Sequence, residues 1–220
     1  MRNWDLLILV SYFISVTYIF YRAIKSIDKQ LNIKLNKDFL RTQLETQDLA
    51  DLITIKFKLK DQYQTDKVQD LLINIENQST TASIAVDWDQ SCLTDFEGRS
   101  RRVIRLMPGM TLDLFQPQVL SVIAPQQTLK ERLTAEDILK RNSSGVLEIA
   151  SPLFAPNKLQ KASEKNDHFY LKLILKVSAP PDSTYNGRTY AISCQFTVIK
   201  LPWTDALDWK INRSKDNDKS

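Results

Sequence analysis

The chain has 220 residues, of which 43% are hydrophobic and 25% charged, a composition typical of a folded protein. Its formal net charge is +4 at pH 7, and the whole excess lies in residues 1–41, which hold seven basic and three acidic side chains. The remaining 179 residues hold 23 of each sign. Because a nucleic-acid-binding protein carries its basic charge on the folded module, this distribution excludes nucleic acid as the expected partner.

The first candidate element is the apolar segment LLILVSYFISVTYIFYRAIK at residues 6–25. Sixteen consecutive residues, from Leu6 to Tyr21, carry no charge. A helix over them rises about 24 Å, and flanking residues extend it toward the roughly 30 Å of a hydrocarbon core. A buried core helix would show a polar face, and a cleaved signal peptide would show a basic start and a small-residue cleavage site. Residues 1–25 show neither the polar face of a core helix nor the features of a cleaved signal peptide, and therefore predict an uncleaved transmembrane anchor.

The charges that follow this segment predict an orientation. Six basic residues lie within about twenty positions after the apolar run, and one precedes it. The positive-inside rule then predicts an integral, single-pass membrane protein with its large domain on the cytoplasmic face. Basic side chains beside anionic headgroups contribute about 1 kcal/mol each, so the lipid bilayer is an expected partner. The residues expected to contact the membrane surface are Arg22, Lys25 and Lys29.

Residues 26–51 predict a helical juxtamembrane stalk, because apolar residues recur at spacings of three to five without glycine or proline. Such a helix could continue the membrane span, form the seam of a homo-oligomer or lie on the bilayer. It could also pack on the domain that follows. These alternatives remain open from the sequence.

After Leu52 the apolar period changes to two, which is typical of strands with one wet face. The segment between the last two predicted strands, 179–187, is rich in turn residues and predicts a long hairpin. The predicted strands are 53–60, 71–76, 84–89, 101–107, 119–124, 169–178 and 188–200.

These strands predict a mainly β chain, with an Ig-like antiparallel β-sandwich of about seven strands over residues 52–203. One short surface helix is expected at 134–141, where acids come first and bases last. The polar tail, 204–220, is expected to be disordered.

The sequence lacks the parts of common active sites. The one histidine, His168, is expected at the surface or a strand edge, and it leaves His-based metal sites and nucleophiles without their usual groups. The four glycines form no phosphate-binding loop. Strand parity places Asp87 and Asp89 on one face, where they could bind a cation, although a solvated strand face explains them more simply. We predict no catalytic residue, no metal and no cofactor, and a protein that is not an enzyme.

The densest cluster of positive charge in the domain is a candidate anion site. It lies in one loop and the strand after it, and guanidinium groups at this density can hold phosphate or lipid headgroups. They can equally pair with the nearby acids, such as Asp95 and Glu97. The cluster consists of Arg99, Arg101, Arg102 and Arg105.

The two cysteines, Cys92 and Cys194, lie on predicted strands, and parity places both on inward faces. They could be buried thiols, because free cysteine is among the most buried residue types. They could also form a cross-sheet disulfide if the domain is exported. Both interpretations remain open from the sequence.

The run ASIAVDWDQSCLTDFEGRSRRVI, followed by VIAPQQTLKERLTAEDIL, falls within residues 82–139. It resembles a pattern in uncharacterised bacterial, in particular cyanobacterial, membrane-anchored lipoprotein-like β-sandwich proteins. There, a strand ending in Trp-Asp precedes a D-x-x-G-x-S turn, an Arg-bearing strand and a Pro-led segment. The resemblance implies the sandwich fold and no reaction. The chain departs from the pattern in lacking a lipidated cysteine, and its flanking charge argues against export.

The sequence therefore predicts a membrane-anchored, non-enzymatic β-sandwich. It would serve as a protein-binding or scaffolding module, or as an accessory or assembly subunit, with a protein partner in or at the membrane. The alternative is a lipid-binding or lipid-transfer sandwich with the arginine cluster at the headgroup, which a continuous cavity above about 300 Å³ would favour. An enzyme would need Asp87 and Asp89 together in a concave pocket.

Overall fold

The computed structural model describes residues 3–27, 30–109, 116–181 and 185–201. The helices in these ranges are α1 (Asn3–Ile27), α2 (Lys37–Thr46) and α3 (Pro156–Lys165), with a 3₁₀ turn at Glu136–Ile138. The strands are β1 (Gln30–Leu35), β2 (Ile53–Lys58), β3 (Tyr63–Gln64), β4 (Leu71–Asn77), β5 (Ser83–Thr94), β6 (Ser100–Arg105), β7 (Ser121–Ile123), β8 (Thr128–Ala135), β9 (Leu139–Arg141), β10 (Leu147–Ile149), β11 (His168–Ser178) and β12 (Thr189–Lys200).

Ten of these strands form one curled antiparallel sheet, a half-barrel. From edge to edge its order is β2, β4, β8, β6, β5, β11, β12, β1 and β3, with β7 paired to β5 beside this path. Strands β9 and β10 make a separate hairpin. The curl brings the first edge strand close to the far end of the sheet, since the Phe57 ring of β2 lies edge-on to Phe196 of β12 with centroids 4.9 Å apart.

The long hairpin predicted near the carboxyl end is confirmed as β11 and β12. Its inward side chains pair across the register, as Leu171 does with Cys194. The rings of Phe169 and Phe196 stack with centroids 4.8 Å apart and their planes nearly parallel, at 8°. Both rings are fully buried, so this pair lies at the centre of the core.

The mainly β class is confirmed, and each of the seven predicted strands is present. The predicted two-layer, Ig-like sandwich of about seven strands is wrong, because a single curled sheet encloses the core. Period-two alternation indicates that one face of each strand is buried. It does not indicate whether the opposing layer is a second sheet or the far side of the same sheet.

The segment predicted as a helical stalk, 26–51, contains a strand of the sheet. Strand β1 pairs with β12, and its Leu31 and Ile33 are buried. Helix α2 follows, with its first turn capped by the Asn36 side chain, which accepts the Phe39 N–H at 3.0 Å. Of the alternatives left open, a helix packed on the domain therefore describes α2.

Two further helical elements differ from the prediction. The segment 134–141 forms the end of β8, the 3₁₀ turn and β9 instead of a surface helix. Its acids, which suggested a helix start, form ion pairs with arginines of β6 instead. The sequence prediction missed α3, which has proline at its start, buries Leu159 and Ala162, and ends at Asn166 in the left-handed conformation.

Helix α1 covers most of the segment predicted to cross a membrane, and large apolar side chains along it, such as Leu6 and Phe20, are exposed. No helix in the described residues, α1 included, combines the length and the apolar character that a membrane crossing requires. The predictions of a transmembrane anchor at 1–25, and of an integral single-pass protein with a cytoplasmic domain, are therefore wrong. The helix itself has 25 residues, but its uncharged part between Asp5 and Arg22 has sixteen and rises only about 24 Å, less than the roughly 30 Å of a hydrocarbon core.

Some predictions fall on residues outside the described ranges. Of the three residues expected at a membrane surface, Arg22 is exposed near the end of α1. The side chain of Lys25 and the whole of Lys29 lie outside the described residues, and so does the tail 204–220.

Candidate functional site

The four arginines predicted as an anion site do lie together, on β6 and the turn before it, but acids surround them. Arg101 is the most buried, with 6% of its side chain exposed, and its Nη2 lies 2.6 Å from Asp137 Oδ1. Its Nη1 also donates to the backbone carbonyl of Leu153 at 2.6 Å. This guanidinium is a structural cross-link between β6, the 3₁₀ turn and the loop before α3.

The other three arginines are paired in the same way. Arg102 Nη2 lies 2.5 Å from Asp89 Oδ1, and this hydrogen bond raises the pKa of Arg102 above its usual value. Arg99 Nε lies 3.3 Å from an Asp95 oxygen. Arg105 Nη1 lies 3.3 Å from a Glu131 oxygen and donates to Ser121 Oγ at 2.6 Å. The carboxylates offset the cluster's charge, which favours the alternative of arginines paired with neighbouring acids.

Asp87 and Asp89 flank the fully buried Trp88 on β5, so strand parity holds here and both carboxylates lie on the outer face. They bond to different neighbours, Asp87 toward β11 and Asp89 toward β6. A bulge follows, since two steps along β11, from Lys172 to Ile174, match five along β5. It changes the parity of β5 between Trp88 and Ser91, both of which are buried.

The Asp87 carboxylate is buried and has a perturbed pKa. Burial by itself would raise the pKa of Asp87, because it disfavours the charged form. The hydrogen bond from Lys176 Nζ, at 2.7 Å, and the bond from the Gln90 backbone N–H, at 3.2 Å, outweigh burial and lower it. Asp87 is therefore a charged structural partner of β11 rather than a proton donor.

The two cysteines are free thiols. Strand β11 lies between β5 and β12, so Cys92 and Cys194 are two strand spacings apart, about 10 Å. A disulfide needs Cα atoms within roughly 7 Å. The bulge also places Cys92 beside Lys172 on the outer face, which overturns its predicted inward parity. Cys194 is buried, and burial raises the pKa of its thiol to about 12.

The single histidine begins β11, where its Nδ1 lies 3.0 Å from Thr197 Oγ1 of β12. Within the described ranges, no group of three or more His, Cys, Asp or Glu side chains is placed to hold a metal ion.

The feature that the sequence did not indicate is a cleft of about 1050 Å³ at the opening of the half-barrel. Its two long walls are β1, continued by α2, and β2. The loop after β2 crosses to β3 and closes one end, where Asn32 Nδ2 donates to the Asp61 carbonyl at 2.8 Å. Helix α2 is fixed at the other end by Gln47 Nε2, which donates to the Ala191 carbonyl at 3.1 Å.

Two open strand edges face each other across this cleft. Strand β2 ends the sheet, and no strand of the described residues pairs with its outer edge. Within the same ranges, strand β3 covers the outer edge of β1 only at Gln30 and Leu31, which leaves 32–35 open. Residues from both open edges line the cleft.

The hydrogen-bonding pattern shows which backbone groups point into the opening. The Leu52 carbonyl accepts the Gln78 N–H, so β2 bonds to β4 through every second residue counted from Leu52. In the same way β1 bonds to β12 through every second residue counted from Gln30, whose carbonyl accepts the Leu201 N–H. The other residues of each strand, which alternate with these, direct their N–H and C=O groups toward the cleft. On the open edges these residues are Ile33, Leu35, Ile55 and Phe57.

The cleft has an apolar inner wall and a basic rim. The side chains of Ile33 and Ile55 are buried and those of Leu35 and Phe57 half-buried, all on the inner face. Helix α2 adds the buried side chains of Leu40 and Leu44 to this wall. The alternate strand positions face outward and are exposed lysines, Lys34 on β1 and Lys56 on β2.

The fold and the cleft define a mainly β protein whose single curled sheet stays open between two strand edges. No family model matches the chain, and no curated protein or solved structure is significantly similar to it. The resemblance of residues 82–139 to lipoprotein-like sandwich proteins therefore stays a prediction from the sequence.

Proposed function

We propose that the protein is a non-enzymatic protein-binding module, which takes up an extended segment of a partner protein between β1 and β2. The observation that carries this proposal is the pair of open strand edges that line one cleft. Backbone N–H and C=O groups are obligatory hydrogen-bonding groups, and an open edge is a template for another strand. Strand addition supplies affinity through main-chain bonds and specificity through alternate side chains.

The inner wall of the cleft supports the same mode of binding. A strand placed along β2 presents every second side chain to the half-barrel interior. There it meets Ile55, Phe57 and, across the opening, Ile33. The partner segment would thus bury apolar side chains while its backbone completes the edge, which is the general arrangement of bound strands in sheet-edge complexes.

A second candidate is lipid binding, because the cleft exceeds the roughly 300 Å³ expected of a small-molecule site. The predicted headgroup site, Arg99 to Arg105, does not line this cleft, so a headgroup would have to use the rim lysines. An acyl chain against Ile55 and Phe57 would also cover backbone groups without bonding them, at a cost of about 1–3 kcal/mol for each unpaired group. These considerations favour a peptide.

Binding of three probes to the purified protein tests the proposal. The first is a peptide of about eight residues with alternating apolar side chains, a length that matches an ordinary strand. The second is the same peptide with N-methylated backbone at alternate residues, and the third is a fatty acid. The proposal predicts binding of the unmodified peptide only, measured by calorimetry. Equal binding of the methylated peptide would overturn strand addition, and binding of the fatty acid alone would establish the lipid candidate.

A further inference from the structure

The charges around the cleft indicate the chemistry of its partner. The cleft is lined by five basic and three acidic side chains. One of each is already matched, since Arg41 Nε lies 2.6 Å from Glu45 Oε1. The remaining basic residues are Lys34, Lys37, Lys56 and Lys60, and the remaining acids are Asp51 and Asp61.

Most of this basic charge is available to a ligand. Lys56 makes one long contact, 3.7 Å to Glu76, between two exposed side chains, and such a pair contributes little. Among the described residues, no ion pair engages Lys34, Lys37 or Lys60. The rim of the cleft therefore carries a net positive charge that the fold itself does not neutralise.

The two strand lysines occupy defined positions relative to a bound strand. Lys34 and Lys56 face outward on the two open edges, next to inward residues such as Ile33 and Ile55. A strand between these edges would place alternate side chains on the same outward face as the lysines. Opposite charges at such cross-strand positions attract, and like charges repel.

We infer that the partner segment alternates apolar with acidic residues, its apolar side chains entering the half-barrel and its carboxylates lying between Lys34 and Lys56. This inference rests on the proposed strand addition and adds the charge of the partner. It commits to a peptide of this one pattern rather than to any extended segment.

Lysines on edge strands also have a simpler role, which is to prevent unwanted pairing of strand edges. The two roles make different predictions. Lysines that only discourage pairing would weaken the binding of every peptide, whatever its sequence. Lysines that recognise a partner would favour a peptide with acidic side chains over the same peptide with neutral ones.

Three peptides of about eight residues, with identical apolar positions, separate these roles. Their alternate positions carry Glu in one peptide, Gln in the second and Lys in the third. The Glu peptide is expected to bind about three- to tenfold more tightly than the Gln peptide, and the Lys peptide more weakly than both. The advantage of the Glu peptide should shrink as salt increases, because exposed charges are screened.

The variant Lys34→Glu/Lys56→Glu should reverse the order of the three peptides. The matched control, Lys130→Glu/Lys172→Glu, changes two exposed lysines on strands away from the cleft and should keep the order. Thermal unfolding checks that both variants fold, and the salt dependence of the unaltered protein gives an independent readout if one does not.

The possible outcomes distinguish the acidic preference of the partner from the proposed strand addition on which it rests. Equal binding of all three peptides, or tighter binding of the Gln or Lys peptide, overturns the acidic preference and leaves strand addition intact. Binding of none of the three overturns strand addition itself. A Glu preference that the cleft variant reverses and the control variant keeps establishes the inference.

Discussion

The side chain of Ser91 bonds to the backbone of Ile174 across two neighbouring strands, its Oγ accepting the Ile174 N–H at 3.1 Å. The same hydroxyl donates to the Asp87 carbonyl at 2.6 Å. Both bonds are buried and lie within the bulge of β5. Ser91 thus replaces the ladder hydrogen bonds that the bulge interrupts, and it stabilises the change of parity that turns Cys92 to the outer face.

Replacing this serine should destabilise the protein. Ser91→Ala leaves the buried Ile174 N–H without its partner, and the expected loss is about 1–3 kcal/mol in the free energy of unfolding. Urea denaturation measures it. Ser178→Ala, at an exposed position near the end of β11, serves as the control. A change of less than about 0.5 kcal/mol for Ser91→Ala would show that water satisfies the bulge equally well.

The ion pair of Asp87 and Lys176 predicts how stability changes in acid. The pKa of Asp87 is lowered in the folded protein, so its contribution is complete above the unfolded value of about 3.9. That contribution is lost as the pH falls through the lower, folded value. Asp87→Asn should therefore lower the free energy of unfolding by about 1 kcal/mol at pH 7, and not by more, because the Lys176 side chain is 39% exposed and solvent weakens the pair. The loss should be much smaller at pH 2, because acid protonates the carboxylate and removes the charge that the substitution removes.

Denaturation of both proteins at the two pH values checks this prediction. Exposed Asp66 supplies a control, because it lies in a turn and no ion pair among the described residues engages its carboxylate, which Asp66→Asn removes. A loss from Asp87→Asn that is equally large at pH 2 and pH 7 would mean that packing, and not charge, is responsible.

The two thiols should differ sharply in reactivity. Burial excludes reagents from Cys194 and raises its pKa to about 12, so little thiolate forms at neutral pH. Cys92 is only partly buried and lies on the outer face of β5. A colorimetric thiol reagent should therefore titrate one thiol in the native protein and two after denaturation. Two native thiols, or none after denaturation without a reductant, would contradict the structure.

The arginine cluster should matter for stability in proportion to burial. Arg101→Ala removes the bonds to Asp137 and to the Leu153 carbonyl, and also the contact of its guanidinium with the Phe154 ring, 5.9 Å away. The expected loss is about 2–4 kcal/mol. Arg99→Ala is the matched control, since Arg99 is mostly exposed, and it should cost less than about 1 kcal/mol. Equal effects of the two substitutions in denaturant unfolding would contradict a contribution to stability that follows burial.

The strands could be predicted from the sequence because their signal is local. Alternation such as that of Ile53, Ile55 and Phe57 identifies a strand with one buried face, and β2 has that form. The partner of each strand depends on contacts far apart in the chain. Leu35 of β1, for example, pairs with Phe196. Alternation alone could not show that one sheet curls on itself.

The missed strand β1 and the missed parity of β5 have separate causes. Leu31 and Leu35 fit a helical spacing as well as a strand, and only pairing with β12 decides between the two. In β5 the hydroxyl of Ser91 stabilises the bulge, but a serine is equally common on a regular outward face. The local sequence therefore fits either a helix or a strand at β1, and either a regular strand or a bulge at β5.

The cleft could not be predicted because it depends on which strand edges stay unpaired in the sheet. Its lysines and apolar residues alternate as in any half-exposed strand, and Lys34 and Lys56 are 22 positions apart. Only the strand order shows that β1 and β2 are both open on the sides that face each other. The acids that pair with the arginine cluster were partly visible, since Asp95 lies beside it in the sequence.

Amide hydrogen exchange, followed by NMR with and without the alternating acidic peptide, tests strand addition most directly. In the free protein the N–H groups of Ile55 and Phe57 point into the cleft, whereas those of Thr54 and Lys56 bond to β4. The account predicts that the peptide slows exchange at Ile55 and Phe57 and leaves Thr54 and Lys56 little changed. Peptide binding that leaves exchange at Ile55, Phe57, Ile33 and Leu35 unaltered would contradict it.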